Sequence, residues 1–154
     1  MAVAGKWKLY ENAKLLISKG EIDLDSHSFK VNLYLSTSNA NDLTLANAFL
    51  ADLTNQVATA FGYTQSTKAV TLAVSKSGGT VTVDETTNPS WNASGGAITA
   101  RFAVIYDDTH ASKAAVCVCL LDTTPADVTA ADGNPFTITQ NAGGIFTLSG
   151  AAVD

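Results

Sequence analysis

A chain of 154 residues is long enough for one domain with its own core. Its apolar residues, 46% of the total, come in short runs among Thr, Ser, Asn and Gly, which excludes a disordered chain; no run approaches the ~20 apolar residues of a bilayer-crossing helix. Nine basic against fourteen acidic side chains give a net charge of −5, and the one basic concentration is Lys6, Lys8 and Lys14, so neither nucleic acid nor membrane is an expected partner.

Only 15% of residues are charged. The surface must then be largely hydroxyl, amide and small apolar groups, which suits a protein packed against neighbours. The opening Met1-Ala-Val-Ala-Gly-Lys-Trp-Lys8 lacks a hydrophobic signal core. The expectation is a protein that stays in the cytoplasm where it is made, or enters a particle assembled there.

Along the chain, residues 1–10 read as a short N-terminal arm of a single domain spanning 1–154. From Trp7 to Lys19, the residues Tyr10, Ala13, Leu16 and Ile17 recur at helical spacing, with Gly20 as a stop, and predict a short amphipathic helix. Phe29, Val31, Leu33 and Leu35 alternate with Ser28, Lys30, Asn32 and Tyr34, a half-buried strand. A polar loop, Ser36 to Asp42, offers Asn41 or Asp42 as a cap. Ala46, Phe49, Leu50, Leu53 and Val57 then recur at three and four, predicting a second short helix or a helical turn.

The remainder reads as β. Val70, Leu72 and Val74 alternate with Thr71, Ala73 and Ser75, and Val81 and Val83 with Thr80 and Thr82, and Gly78-Gly79 between them predicts a tight hairpin because glycine supplies positive φ. Ile98 to Tyr106 reads as one long strand and Ala114–Leu121, apolar on both faces, as a central one. Phe136–Thr139 and Ile145–Leu148 read as a final pair joined through Asn141-Ala-Gly-Gly144. The fold class is mainly β: an antiparallel β-sandwich or jelly-roll of about seven strands with one or two short helices.

Reaction chemistry is thinly represented. Cys117 and Cys119, two apart on one strand face, have Cα atoms about 7 Å apart, poor geometry for a disulfide, and read as small buried hydrophobes in a reducing compartment. Glu21, Asp23 and Asp25 alternate like the first ligands of a calcium loop, but the glycine and the twelfth-position Glu are missing, so they read as the solvent face of a strand leading into Phe29.

His27 and His110 lie in hydroxyl-rich segments, without a Gly-x-Ser-x-Gly elbow around any serine. The pairs Asp84-Glu85 and Asp107-Asp108 fall at strand ends, where turn chemistry accounts for them. Neither Ser94-Gly-Gly96 nor Asn141-Ala-Gly-Gly144 has the Lys-Ser or Lys-Thr of a phosphate loop. Asn92-Ala-Ser94 matches a glycosylation acceptor that needs an export signal. Trp91 reads as a core anchor rather than an interface anchor. No catalytic, cofactor or metal residues are assigned, and the chain is not expected to be an enzyme.

Several pieces together resemble small structural proteins of tailed-bacteriophage virions. They are Leu15-Leu-Ile-Ser-Lys-Gly-Glu-Ile-Asp-Leu-Asp25, Phe29-Lys-Val-Asn-Leu33, the passage from Thr54-Asn-Gln-Val57 to Gly62-Tyr-Thr64, Trp91-Asn-Ala93, Ala100 to Thr109, and Gly144-Ile-Phe-Thr-Leu148. The resemblance implies a virion component present in many copies, a class that takes in capsid decoration (cement) proteins and tail or minor structural proteins. The leading expectation is a capsid decoration protein that binds the major capsid protein or other virion proteins and assembles as a dimer or trimer. Trp7 and Tyr10 are then the expected interface anchors of the N-terminal arm. The alternatives are a tail or head–tail connector component, or a carbohydrate-binding β-sandwich that stacks Trp91, Tyr63 or Tyr106 on sugar rings.

Overall fold

The N-terminal segment joins a sheet before any helix begins. In the computed structural model, which describes residues 4–124, 126–140 and 143–150, Lys8–Leu9 (β1) lies antiparallel to Val118 and Cys117. Gly5 N–H donates to Leu120 O at 2.8 Å and Tyr10 N–H to Val116 O at 3.1 Å, which extends the contact on both sides. The helix therefore spans only Glu11–Lys19 (α1). Its Ala13 and Leu16 are buried beside Tyr10, as their spacing requires, and Gly20 closes it at φ 75° by donating to the Leu16 and Ile17 carbonyls.

The N-terminal arm read over residues 1–10 is, from Ala4 onward, packed into the domain. Ala4, Trp7 and Tyr10 all belong to the core. Residues 1–3 lie outside the described residues.

Phe29–Tyr34 (β2) is more than half-buried: Asn32, predicted to face solvent, is fully covered. Its amide closes on a neighbouring loop, Oδ1 accepting from Ser66 N–H at 2.8 Å and Nδ2 donating to Ser66 Oγ at 3.2 Å. Of the predicted second short helix or helical turn, the turn is what forms. Only the 3-10 turn Leu50–Asp52 appears, because Phe49 bridges Ala114 and Val57 N–H donates to Leu33 O, while Ala48 and Asn55 take positive φ.

Lys68–Val70 (β3), Leu72–Ser77 (β4), Thr80–Glu85 (β5), Ser90–Asn92 (β6), Ile98–Ala100 (β7), Phe102–Asp107 (β8), Ala115–Leu120 (β9), Val128–Ala130 (β10), Pro135–Thr137 (β11) and Phe146–Ser149 (β12) follow. The principal sheet has the order β1-β9-β8-β2-β3, with β8 and β9 almost wholly buried. A second sheet has the order β12-β5-β4, and β10-β7 and β11-β6 form two short ladders. Every strand pair among the described residues is antiparallel. The fold is mainly β and β-sandwich-like, as the alternation predicts.

Two predicted strands are divided between sheets. Val70 pairs with Phe29 in the principal sheet, whereas Leu72 pairs with Glu85 in the second, so the chain changes sheets at Thr71. Ile98–Tyr106 breaks in the same way at Arg101, whose N–H donates to Tyr34 O and whose carbonyl accepts from Leu121 N–H. The predicted final pair does not form either. β11 pairs with β6 and β12 with β5. The linking Asn141-Ala142 lies outside the described residues.

Candidate functional site

The densest polar cluster lies where β2 and β8 end side by side. Phe29 is paired with Asp107, and this register carries His27 to the Asp107 carboxyl. Asp107 is fully buried. Its Oδ1 accepts the N–H groups of Thr109 at 2.8 Å and His110 at 3.0 Å, and its Oδ2 lies 2.6 Å from His27 Nδ1. Asp23 N–H also approaches Nδ1, at 3.4 Å. One nitrogen cannot donate and accept in the same plane, and the short contact to a carboxylate decides: Nδ1 carries a proton toward Asp107, which leaves Nε2 as the ring nitrogen open to another partner.

Around this pair, Asp108 binds Lys30 at 2.7 Å and Lys113 at 3.0 Å. Lys30 first, then Lys113, holds the Asp108 carboxyl below its ordinary range. His110 stacks on Phe49 with ring centroids 5.7 Å apart. Its Nδ1 accepts from Ser112 N–H and its Nε2 faces Glu21 at 4.0 Å.

A histidine oriented by a buried carboxylate is half of an acid–base device, so the question is what Nε2 meets. His27 borders a groove of about 250 Å³ with Ser28, Thr71 and Leu72. Among the described residues no hydroxyl hydrogen-bonds to Nε2, and the Ser26 hydroxyl is committed to Asp23 Oδ2 at 2.6 Å. The arrangement ties the 23–28 turn to the β8–β9 connection. Asp23 and Asp25 lie in that turn and Glu21 in the bend before it, none of them on a strand, with Asp23 Oδ1 accepting from the Asp25 and Ser26 amides. Among the described residues no three His, Cys, Asp or Glu side chains converge as metal ligands.

A second polar chain runs through the core. Trp7 Nε1 donates to Gln140 Oε1 at 2.7 Å, Gln140 Nε2 donates to Glu85, and Thr87 Oγ1 donates to Glu85 at 3.0 Å. Burial pushes the Glu85 carboxyl up to about 7. Asp84, its neighbour, is exposed, so the two acids do point to opposite sides of β5, but Glu85 belongs to the core and not to a turn.

The predicted interface anchors face inward. Trp7 is 5% exposed and Tyr10, whose hydroxyl donates to Ala40 O, is fully covered. As placed, both fasten the N-terminal segment to its own domain. Trp91, Tyr63 and Tyr106 are buried as well, Trp91 packing on Tyr63 and Phe136 at 5.5 and 6.3 Å, so none offers a face for a sugar ring. Cys117 and Cys119 are buried free thiols whose ionisation burial pushes up.

What the domain does expose is the second sheet. The register aligns Val74, Val83 and Phe146 across its three strands, and likewise Lys76, Val81 and Leu148. These side chains share one face. On the central strand β5 it enters the core through Val83 and Glu85; on the flanking strands, Val74 is 40% and Leu148 44% exposed. The opposite face is Ala73, Ser75, Ser77, Thr80, Thr82, Asp84, Thr147 and Ser149. The sheet is therefore amphipathic beyond the body that would cover it.

No helix among the described residues is long and apolar enough to cross a membrane. Comparison with protein families, with curated proteins and with solved structures found no match.

Proposed function

We propose that this chain is a non-enzymatic structural protein that works by packing against other proteins, and that its setting is the tailed-phage virion, as a capsid decoration protein. One observation carries the reading: the β12-β5-β4 sheet carries its apolar face out past the core and ends at β4, whose outer edge pairs with no strand among the described residues. An amphipathic sheet with an open edge is a standing invitation to strand addition and to face packing. Sparse charge supports it further, since a Thr/Ser/Asn surface loses little hydration when it docks. Many modest contacts repeated over a shell add up to firm attachment. The burial of Trp91, Tyr63 and Tyr106 disfavours the sugar-binding alternative.

Mass spectrometry of purified particles from the encoding genome tests the proposal. The expected result is between about one-third and one copy per major capsid subunit, as two-fold or three-fold sites on a regular lattice require. A few dozen copies per particle would move the protein to the neck or tail. Absence from particles would overturn the virion reading.

A further inference from the structure

We infer that the chain pairs with a second copy of itself through β4, edge to edge and antiparallel about a two-fold axis centred on Ser75. This pairing rests on the assembly reading above and gives it a first contact. The hairpin geometry fixes which groups are free. Its two-residue loop closes on the Ser77–Thr80 pair, and Thr86 N–H donates to Thr71 O farther along the same ladder. Odd-numbered residues of β4 thus bond to β5, and the N–H and C=O groups of Leu72, Val74 and Lys76 point to the open edge.

Charge selects the occupant. Val74 borders a shallow groove of about 290 Å³ together with Ile17, Ile22, Leu24, Asp23 and Asp25. Asp23 is occupied by its own turn, but the Asp25 carboxylate has no hydrogen bond or ion pair among the described residues. Lys76 is likewise unpaired and exposed, on the same face as Val74. Pairing centred on Ser75 sets the partner's Lys76 directly opposite Val74, at the mouth of the groove that carries Asp25. The two-fold axis makes the contact twice. The apolar residues Val74 and Leu148 of both copies then lie on one face of a continuous six-stranded sheet.

Sedimentation or light scattering on the full chain reads the result. The wild type is expected at twice the chain mass, K76E and D25K as monomers, and the exchanged variant D25K/K76E as a dimer again. In a second measurement, S75C is expected to form a disulfide-linked dimer on mild oxidation, because facing residues at the two-fold axis bring their Cα atoms within disulfide range. A monomeric wild type, or a dimer indifferent to both single charge reversals, would overturn the pairing. A chain that is monomeric in solution yet abundant in particles would overturn the pairing alone and leave the decoration reading standing; absence from particles would strike that reading instead.

Discussion

Trp7 and Gln140, 133 positions apart, meet in a 2.7 Å hydrogen bond, and Gln140 passes the connection on to the buried Glu85. The first and last parts of the described chain are thereby joined through one amide. Removing residues 2–10 takes away β1, Trp7 and Tyr10 together, so the truncated chain is expected to lose its cooperative unfolding transition in circular dichroism. Within the full chain, Trp7→Ala should cost about 3–5 kcal/mol, the usual range for emptying a buried aromatic site. Tyr10→Phe, which only orphans the Ala40 carbonyl, should cost about 1–3 kcal/mol. Urea denaturation of the two variants checks the order.

Glu85 should make stability fall as pH rises. Its carboxyl is raised from 4.5 to about 7 in the folded chain, so between those values the folded state holds the proton and the unfolded state has released it. Stability is then full below about pH 4.5 and is lost progressively up to about pH 7, by roughly 3 kcal/mol. Subtracting the pH profile of Glu85→Gln from that of the wild type isolates the slope. A flat difference would mean that the carboxyl stays ionised in the fold.

Asp107 holds three donors, the His27 ring and the amides of Thr109 and His110. Asp107→Ala strands two backbone N–H groups and frees the histidine, and is expected to cost about 3–5 kcal/mol. Asp107→Asn keeps one carbonyl acceptor and should cost visibly less. Thermal unfolding of the two variants, compared with His27→Ala, separates the part owed to the amides from the part owed to the ring.

Two glycines with similar φ should differ sharply. Gly20, at φ 75°, has open space where a Cβ would go, so Gly20→Ala pays only the left-handed conformation, about 1–2 kcal/mol. Gly62, at φ 86°, would drive a Cβ to 2.0 Å from Asn92 O, a backbone atom. Gly62→Ala therefore has to open the 60–63 turn away from β6, and its melting temperature should drop well below that of Gly20→Ala.

Where one period runs between clear turn residues, local sequence was enough. The Gly78-Gly79 hairpin and the doubly buried Ala115–Leu120 strand stand where the local pattern put them, and Phe29–Tyr34 is a strand as its alternation predicts, although its Asn32 face is buried as well. At Thr71 and Arg101 the same alternation continues unbroken across a change of sheet, so nothing local marks the switch. From Ala46 to Val57 the helical spacing is real, but backbone partners supplied by Leu33, Lys113 and Ala114 outbid it.

The polar cluster was legible only as parts. His27 and Asp107 are 80 residues apart, and the β2–β8 register that joins them is a property of pairing order. Glu85 was visible as a carboxylate interrupting an apolar face, Val81-x-Val83-x-Glu85, which is the one signal that could have placed it inside. Trp7 and Tyr10 read from the sequence as interface anchors, and their side chains are buried in the core of their own domain.

The tip of the β4–β5 hairpin has a practical consequence. Gly78 and Gly79 have no atom within 4 Å of where a side chain would begin, and the strands that carry them are exposed on both sides there. A peptide spliced between these two glycines would leave the domain without disturbing any packed group, and lengthening a loop costs little closure entropy. The turn is thus a natural graft point for displaying a foreign epitope, one per chain.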